Sequence, residues 1–358
     1  MTIIHRYISR LFFKYFAVVL LMVIVIYLSI DVFGRLDNLM EARLSLAEMF
    51  LFFAYKVPLI VSQVTPAAVL LGVLIVFGIM SKNNEIIALK SAGVSLQYLL
   101  LPILVIGLLL SSGLFVFSEG LVPITTTRAN ALMEERGDSR QVMRSREKNI
   151  WLKQHRAIMN IQYYHPSEKV IRGVSAMFFD ADFHLIRRID AQRGIYREGQ
   201  WVLFSGMLQR LEPGSDAHET EFFQEKQVNL AFSPEDLKKV SRSAEEMSFS
   251  RLRRYVEKVA REGYDATHYR VDLYAKTAFP AVCLIMGLLG AAIALRGKTR
   301  EGMAVSFAYG IITAFIYWSL YSFCLSLGYG GVLPPFWAAW MVNLIFFCTA
   351  GLMVFNLE

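Results

Sequence analysis

Few residue combinations in this 358-residue chain could carry covalent chemistry. The string Arg296-Gly-Lys-Thr299 has the end of a phosphate loop, but Ala292 stands where that motif requires its first glycine. All three cysteines lie in apolar runs, which excludes a disulfide framework and a cysteine zinc site. The sequence therefore predicts no catalytic residue, no metal site and no bound cofactor, so any ATP and Mg²⁺ would be held by a partner subunit.

Charged residues within or beside apolar segments are the remaining candidates for chemistry. Lys56 interrupts an apolar run, while Asp31 and Arg35 are spaced by one helical turn, as are Asp272 and Lys276. Charges at membrane depth are costly, so they usually pair or face the interior of a helix bundle. We expect Asp272 and Lys276 to form an interfacial charge pair that steadies a helix end. Arg35 and Lys56 are predicted instead to hold an anionic lipid headgroup.

A polar loop, residues 81–97, separates two apolar runs and could bind a partner. Its central residues are good helix formers. The apolar side of the predicted helix and the flanking charges comprise Glu85, Ile86, Ile87, Leu89 and Lys90. Such a helix could dock into a groove on a partner or lie on the lipid interface, and the residues alone leave both possibilities open.

The distribution of charge indicates a membrane protein with a polar domain inserted in its middle. Residues 122–268 contain 24 Lys/Arg and 21 Asp/Glu, whereas the other 211 residues contain only 22 charges. A helix needs about 20 apolar residues to cross a bilayer. Six apolar segments meet this requirement, at residues 11–30, 57–81, 91–118, 277–295, 302–327 and 336–357. We therefore predict an α-helical membrane protein with three spans in residues 1–121 and three in residues 269–358.

The short loops predict the orientation. One side carries eight Lys/Arg, at positions 6, 10, 14, 82, 90, 296, 298 and 300, and the other carries Arg35 and Arg43. Because Lys and Arg are enriched in cytoplasmic loops, both termini are predicted to be cytoplasmic. The inserted domain is then expected on the outer side.

The inserted domain, residues 122–268, is predicted to be an all-β, jelly-roll-like domain with a terminal helix. Turn sequences separate several short segments with near-alternating apolar residues. The predicted strands are 158–163, 170–179, 186–195 and 201–208. A short helix is expected to begin at Ser233-Pro-Glu-Asp236, and an amphipathic helix is expected from Ser248 to Arg261.

Three stretches resemble a known family. They are His5-Arg-Tyr-Ile8, Asn84-Glu-Ile-Ile-Ala-Leu-Lys-Ser-Ala-Gly-Val-Ser95 and Tyr269-Arg-Val-Asp-Leu-Tyr-Ala-Lys-Thr-Ala-Phe-Pro280. With the layout of three spans, a β domain and three spans, they resemble the lipopolysaccharide-export permeases LptF/LptG along essentially the whole chain. Within that family, the stretch Asp31–Asn38 is more similar to the LptG side.

The resemblance implies a function and a set of partners. It implies a permease subunit in the inner membrane of a Gram-negative bacterium, with a periplasmic jelly-roll. A paralogous permease of the LptF type would form a heterodimer with it, around a lateral cavity for lipopolysaccharide. An LptB-type ATPase dimer would drive extraction, an LptC-type single-span protein would join, and an LptA-type periplasmic bridge would receive the lipid.

The resemblance also implies roles for particular residues. The family's loop glutamate, which engages the ATPase, corresponds to Glu85, so Glu85, Ile86, Leu89 and Lys90 become the expected ATPase-coupling residues. The family holds lipid phosphates with basic residues near the outer ends of its spans. Arg35 and Arg128 are the corresponding candidates here, together with Lys56.

Two other classes of function stay open. The chain could be an ABC permease for another lipid or for a lipoprotein, in which case removing Arg35 matters only if the cargo is phosphorylated. It could also be a non-transporting envelope protein whose β domain binds partners, in which case Glu85→Ala would leave envelope function intact. A secondary transporter is disfavoured, because no span is broken in its middle by Gly or Pro.

Overall fold

The structure is a computed structural model in which most of the chain can be described. The described residues are 3–41, 45–136, 150–154, 156–165, 169–180, 183–197, 199–211, 218–228, 230, 244–261, 265–296 and 303–356. The expected helix start at 233–236 and the residues 297–300 lie outside them.

Two groups of helices flank a run of strands. The first group is α1 (Ile3–Glu41), α2 (Leu46–Lys82), α3 (Glu85–Ser91) and α4 (Leu96–Arg136). The strands are β1 (Ile150–Gln154), β2 (Ala157–His165), β3 (Val170–Phe179), β4 (Leu185–Arg197), β5 (Gln200–Leu211) and β6 (His218–Val228). After a short 3₁₀ helix (Ala244–Glu246) come α5 (Phe249–Arg261), α6 (Thr267–Arg296), α7 (Met303–Tyr329) and α8 (Pro335–Phe355).

Six of these helices are long and apolar enough to cross a membrane, namely α1, α2, α4, α6, α7 and α8. This confirms the predicted six spans in two groups of three. The break between α7 and α8 falls at residues 330–334, where Gly331 has a φ of 72° and a proline begins α8. Proline fits the first turn of a helix because the amide hydrogen that it lacks has no partner there.

The chain forms two compact units. The membrane unit consists of Met1–Gly34, Leu51–Ala129 and Ala244–Glu358, and the β unit consists of Arg35–Phe50 and Asn130–Ser243. Helix α4 continues through position 122, and α5 belongs to the membrane unit. The sequence interpretation had assigned both α5 and the end of α4 to the inserted domain.

The spans of the membrane unit differ in burial. In the most apolar window of each helix, 78% of residues are buried in α6 and 67% in α2, but only 6% in α1 and 22% in α7. Small residues allow α6 to approach α2, because a Cβ added at Gly290 would lie 3.0 Å from the carbonyl oxygen of Leu70. This agrees with the close packing that small residues permit between membrane helices.

The β unit contains one antiparallel sheet with the strand order β1-β2-β3-β4-β5-β6. The alternation of strand side chains places one apolar row on the same face, because Met159 pairs with Ala176, Ala176 with Ile189, and Ile189 with Leu208. All four residues are buried. The described strands thus form a sequential meander.

The structure confirms the inserted all-β region and the four strands predicted by alternation, β2 to β5. It adds β1 and β6, which were not predicted. Beyond its antiparallel β character, the sheet does not define a jelly-roll, because all six described strands belong to one sheet in sequential order.

Candidate functional site

A cavity of about 640 Å³ lies within the membrane unit. Its wall is mainly aromatic and aliphatic, with side chains from Phe115, Phe249, Phe279 and Trp318 among others. Five longer polar side chains also line it: Tyr27, Gln63, Glu119, Asp272 and Lys276. Its volume falls in the range of small-ligand sites, roughly 300–1,000 Å³. Of the predicted site residues, Asp272 and Lys276 belong to this wall.

The end of the bundle at which α6 begins carries a group of polar contacts around Asp272. The hydroxyl of Tyr329 donates a hydrogen bond to Asp272 Oδ1 at 2.6 Å. His268 Nδ1 lies 3.4 Å from Asp272 Oδ2, and the ring of His268 stacks on Tyr329 with centroids 4.2 Å apart. These contacts tie the start of α6 to the end of α7. The charge pair of Asp272 with Lys276 stays a prediction.

A second carboxylate, Glu119 of α4, connects a span to the amphipathic helix α5. It accepts a hydrogen bond from the backbone N–H of Phe249, the first residue of α5. This satisfies one of the amide groups that a helix leaves unpaired at its N-terminus. Sequence reasoning missed Glu119, because its partner lies 130 residues further along the chain.

Lys56 forms an ion pair with Asp31, which connects α2 to α1. Each side chain is only 13% exposed. A charge pair so shielded from water depends on both partners, because losing one leaves a buried charge without compensation. The predicted phosphate ligand Lys56 therefore already has an anionic partner.

Arg128 reaches the same stretch of α2. Its guanidinium lies over the ring of Tyr55, the neighbour of Lys56, at 5.9 Å from the ring centroid. Cation–π contacts at such distances hold a guanidinium while leaving its N–H donors available. Arg35, also on α1, is exposed. The structure thus places Arg128, a residue of α4, against Tyr55, the residue next to Lys56 on α2.

At the opposite end of the bundle, the loop 81–97 contains the predicted helix, α3. Glu85 accepts hydrogen bonds from the Tyr7 hydroxyl (3.3 Å) and from the side chain of Asn83 (3.1 Å). Ile86 is only 9% exposed and packs into the core, with Leu89 partly buried beside it. Ile87, by contrast, is 45% exposed. The predicted coupling residues are therefore split between an inward and an outward face.

The exposed face of α3 carries Ile87 together with Lys90. Ile87 was part of the predicted apolar side but not of the predicted coupling set. The signal that could have distinguished it is helical spacing, because Ile86 and Leu89 are three residues apart and share one face.

The interior of the membrane unit also contains a buried polar network. The Tyr317 hydroxyl donates to Asn343 Oδ1 at 2.6 Å, and Asn343 Nδ2 donates to the carbonyl of Ala278 at 2.7 Å. It joins α7, α8 and α6. Hydrogen bonds between apolar helices are specific, because an unpaired polar group in such surroundings is costly.

The β unit has its own polar face, opposite the apolar row. The hydroxyl of Ser175 donates to Asp190, and the guanidinium of Arg188 donates to the same carboxylate at 2.7 Å. On the other face, which carries the apolar row, Arg187 lies over the ring of Phe178 at 4.0 Å. Burial lowers the pKa of Arg187 from its usual value, and repulsion from Arg210 adds to the effect.

The geometry indicates a site that binds rather than a site that reacts. Among the described residues, no group of three or more His, Cys, Asp or Glu side chains could hold a metal ion. The polar groups instead connect helices around an apolar cavity. The fold and site define a membrane-embedded protein with six apolar helices, an internal cavity and an inserted β-sheet.

Comparison with known proteins then gives the family. Residues 6–356 match the family described as "Lipopolysaccharide export system permease LptF/LptG", so the chain belongs to that family. It is 22% identical over 359 aligned residues to the lipopolysaccharide export system permease protein LptG of Escherichia coli K12, with 96% of each chain covered. The LptG protein of Escherichia coli O6:H1 strain CFT073 gives the same identity and coverage. The resemblance inferred from the three sequence stretches is confirmed.

Proposed function

We propose that this chain is a permease subunit of an inner-membrane ABC transporter that extracts lipopolysaccharide from the periplasmic leaflet. The observation that carries the proposal is the family match across residues 6–356, which includes both helical halves and the β unit. The similarity to LptG over 96% of the chain supports an LptG-type subunit with an LptF-type partner.

The uneven burial of the spans supports assembly with a second permease. Helices α1 and α7 are the two least buried spans, with 6% and 22% of their apolar windows buried. Spans one and five, α1 and α7, can therefore contribute to a lateral cavity between two permeases, into which the lipid enters.

The charges favour the α1–α2 region over the internal cavity as the phosphate site. Two acids, Glu119 and Asp272, line the cavity with one base, Lys276, so a phosphate would meet net repulsion there. Arg128 of α4 contacts Tyr55, the residue next to Lys56 on α2. In this mechanism, an arriving phosphate competes with Asp31 for Lys56, while Arg128 adds charge-assisted hydrogen bonds. The apolar cavity suits acyl chains.

An external energy source is required because the lipid leaves an apolar medium. Each methylene taken from the bilayer costs about 0.8 kcal/mol. ATP and Mg²⁺ bound by an LptB-type ATPase dimer would supply this energy, and α3 would transmit it.

The lipid would pass to the β unit and then to an LptA-type bridge, with an LptC-type protein in the complex. Both termini would be cytoplasmic and the β unit periplasmic.

The experiment that tests this proposal is co-purification from detergent-solubilised membranes, comparing wild type with Glu85→Ala. We expect wild type to retain an ATPase and a second six-span permease, and the variant to lose the ATPase. Recovery of neither partner with wild type would remove the ATP-driven class and leave a β domain that binds other partners.

The structure supplies one matched control and one further test variant. Tyr7→Phe removes the hydroxyl that donates to Glu85 but leaves the carboxylate, so it should retain the ATPase. If Tyr7→Phe loses the ATPase as Glu85→Ala does, Glu85 supports α1 instead of contacting a partner. Ile87→Glu changes an exposed residue of α3 and should also lose the ATPase while the permease still folds.

The cargo is tested by lipid retention. We expect Arg128→Gln, which leaves the ion pair of Lys56 with Asp31 intact, to lower the amount of lipopolysaccharide that co-purifies. Recovery of another lipid or of a lipoprotein in place of lipopolysaccharide would favour an ABC permease for that cargo.

A further inference from the structure

Helix α5 is attached to the membrane spans at its beginning. Its first residue, Phe249, donates its backbone N–H to Glu119, and the rings of Phe249 and Phe115 lie 6.4 Å apart. Glu119 is the first charged residue after the uncharged run 91–118 of α4. The N-terminus of α5 therefore lies at the boundary of the apolar layer.

The remainder of α5 packs against the start of α6, the next span. Its buried side chains are Leu252, Val256 and Val259, which cluster with Ala266 and Leu273. The ring of Tyr255 contacts that of Tyr269 at 5.0 Å. Both attachments are at the edges of the apolar segments of α4 and α6, so α5 runs along the membrane boundary.

The opposite face of α5 is a stripe of four cations. Arg251, Arg254, Lys258 and Arg261 are spaced by three, four and three residues, which places them on one side of a helix. All four are exposed. The helix contains one acidic residue, Glu257, and it pairs with Arg253, outside the stripe, at 3.2 Å.

Backbone carbonyls of α5 orient two of the guanidinium groups in this stripe. Arg254 Nε donates to the carbonyl of Ser250, and Arg261 Nε donates to that of Glu257, each at 3.2 Å. A guanidinium has five N–H donors, so these backbone contacts orient the two groups and leave donors for a ligand. Residues 249–262 hold five basic and two acidic residues, a net charge of +3.

We propose that α5 is a headgroup-binding helix whose cationic stripe binds the phosphates of anionic phospholipids in the surrounding leaflet. An amphipathic helix with a basic polar face binds a membrane surface through apolar burial and attraction to anionic lipids. Here the apolar face is already packed on the spans, so the stripe supplies the lipid contact. Bilayer lipids are the favoured occupant because the stripe is exposed on the side of α5 opposite its packing on the spans, and α5 is attached where their apolar segments end.

Binding at α5 would also act on the cavity, whose wall includes Phe249 and Glu119. A headgroup on the stripe would hold α5 against α4 and α6. The inference rests on the membrane spans and on α5, and it does not depend on the identity of the transported cargo.

The test measures lipid selectivity of the full-length chain. The protein is purified in neutral detergent and incubated with an equimolar mixture of dioleoyl phosphatidylglycerol and dioleoyl phosphatidylcholine, and bound lipids are counted by native mass spectrometry. We expect wild type to retain phosphatidylglycerol preferentially, with the preference falling by up to about fivefold for each cation removed. The variant R251Q/R254Q/K258Q/R261Q should show no preference, and high salt should weaken that of wild type.

A matched control removes four exposed cations from the β unit, in K169Q/R172Q/R193Q/R197Q. It has the same net charge as the stripe variant and should keep the wild-type preference. R251K/R254K/R261K keeps the charges of the stripe and should retain most of the preference for phosphatidylglycerol. Glutamine is a good helix former, so the stripe variant should melt like wild type in phosphatidylcholine. If its melting temperature is lower than that of wild type, the single variants R254Q and R261Q are used for the lipid-binding measurement instead.

Two results would overturn the proposal. One is an equal preference for phosphatidylglycerol in wild type and in the stripe variants. The other is a stripe variant that loses bound lipopolysaccharide but keeps its preference for phosphatidylglycerol, because the stripe would then belong to the cargo path.

Discussion

The membrane unit and the β unit bury apolar side chains under different constraints. In the membrane unit, helices pack with their backbones close together, for example where Gly290 of α6 contacts Leu70 of α2. In the β unit, alternation separates the apolar row that contains Ala176 and Ile189 from a polar face that contains Ser175 and Asp190. Composition therefore identifies membrane helices but does not predict which helices contact each other. Alternation in a strand, by contrast, already predicts which side chains are buried.

Ion pairs also differ between the two units in their exposure to water. The shielded pair Asp31–Lys56 has both side chains 13% exposed, whereas Glu221 and Lys226 of β6 form a pair near water, at 2.6 Å. Hydrogen bonding to Lys226 lowers the pKa of Glu221, although the Glu221 side chain is 51% exposed. Surface pairs of this kind contribute little to stability because water screens them. Breaking the pair in the membrane unit should therefore have the larger consequence.

The largest expected effect is that of Lys56→Met, which breaks an ion pair whose two side chains are each 13% exposed. Breaking a buried ion pair costs about 3–5 kcal/mol. We expect a clear fall in melting temperature in detergent, and partial recovery in the double variant D31N/K56M. Lys82→Met, at an exposed position of the same helix, serves as the control. A double variant as unstable as K56M would show that the two charges are not coupled.

Gly290→Ala should have the next largest effect. The added Cβ would lie 3.0 Å from the Leu70 carbonyl oxygen, so α2 and α6 must separate. Overpacking of this kind costs about 1–3 kcal/mol. Gly113→Ala is the control, because a Cβ there meets nothing within 4 Å. Equal melting temperatures for the two variants would remove backbone approach as the distinguishing feature of the membrane unit.

Asn343→Ala should destabilise the membrane unit by about 1 kcal/mol, because the Tyr317 hydroxyl and the Ala278 carbonyl lose a buried partner. Thr349→Ala is the matched change in the same helix, since Thr349 is exposed and bonds only within α8. Thermal unfolding of both variants in the same detergent gives the comparison. A larger loss in Thr349→Ala would contradict the importance of the network.

The smallest effect at neutral pH is expected from Tyr164→Phe in the β unit. Burial raises the pKa of Tyr164 from its ordinary value of 10.0 to about 12. Between these values the unfolded chain loses the phenol proton while the folded chain keeps it, so stability falls as pH rises from 10 to 12. Wild type should lose this stability and the variant should not. Parallel unfolding curves for the two proteins across that window would contradict the assigned burial.

Particular elements show how much of the fold the sequence predicted. Uncharged runs of about 20 residues gave the six spans, since crossing a bilayer demands that length. Alternation gave β2 to β5. It missed β6, because His218–Val228 is mostly polar and its pairing with β5, more than its own pattern, makes it a strand. Strand preference depends strongly on such neighbours.

The candidate site was less predictable than the fold. The partner of Lys56 proved to be Asp31 on another helix, and Glu119 was not singled out at all. Spacing along one helix finds pairs one turn apart, but it contains no information about which helices become neighbours. The contrast between Ile86, which is buried, and Ile87, which is exposed, likewise depends on how α3 packs.

The sequence by itself determined the class of the protein, its spans, most of its strands and its family resemblance, because hydropathy and alternation are properties of consecutive residues. Only the tertiary structure decided which charges meet, where the cavity lies and which face of α5 is left exposed. Those features depend on contacts between residues as far apart as Glu119 and Phe249. The physical reason is that apolar helices carry no directional pattern strong enough to specify their neighbours, so packing selects them.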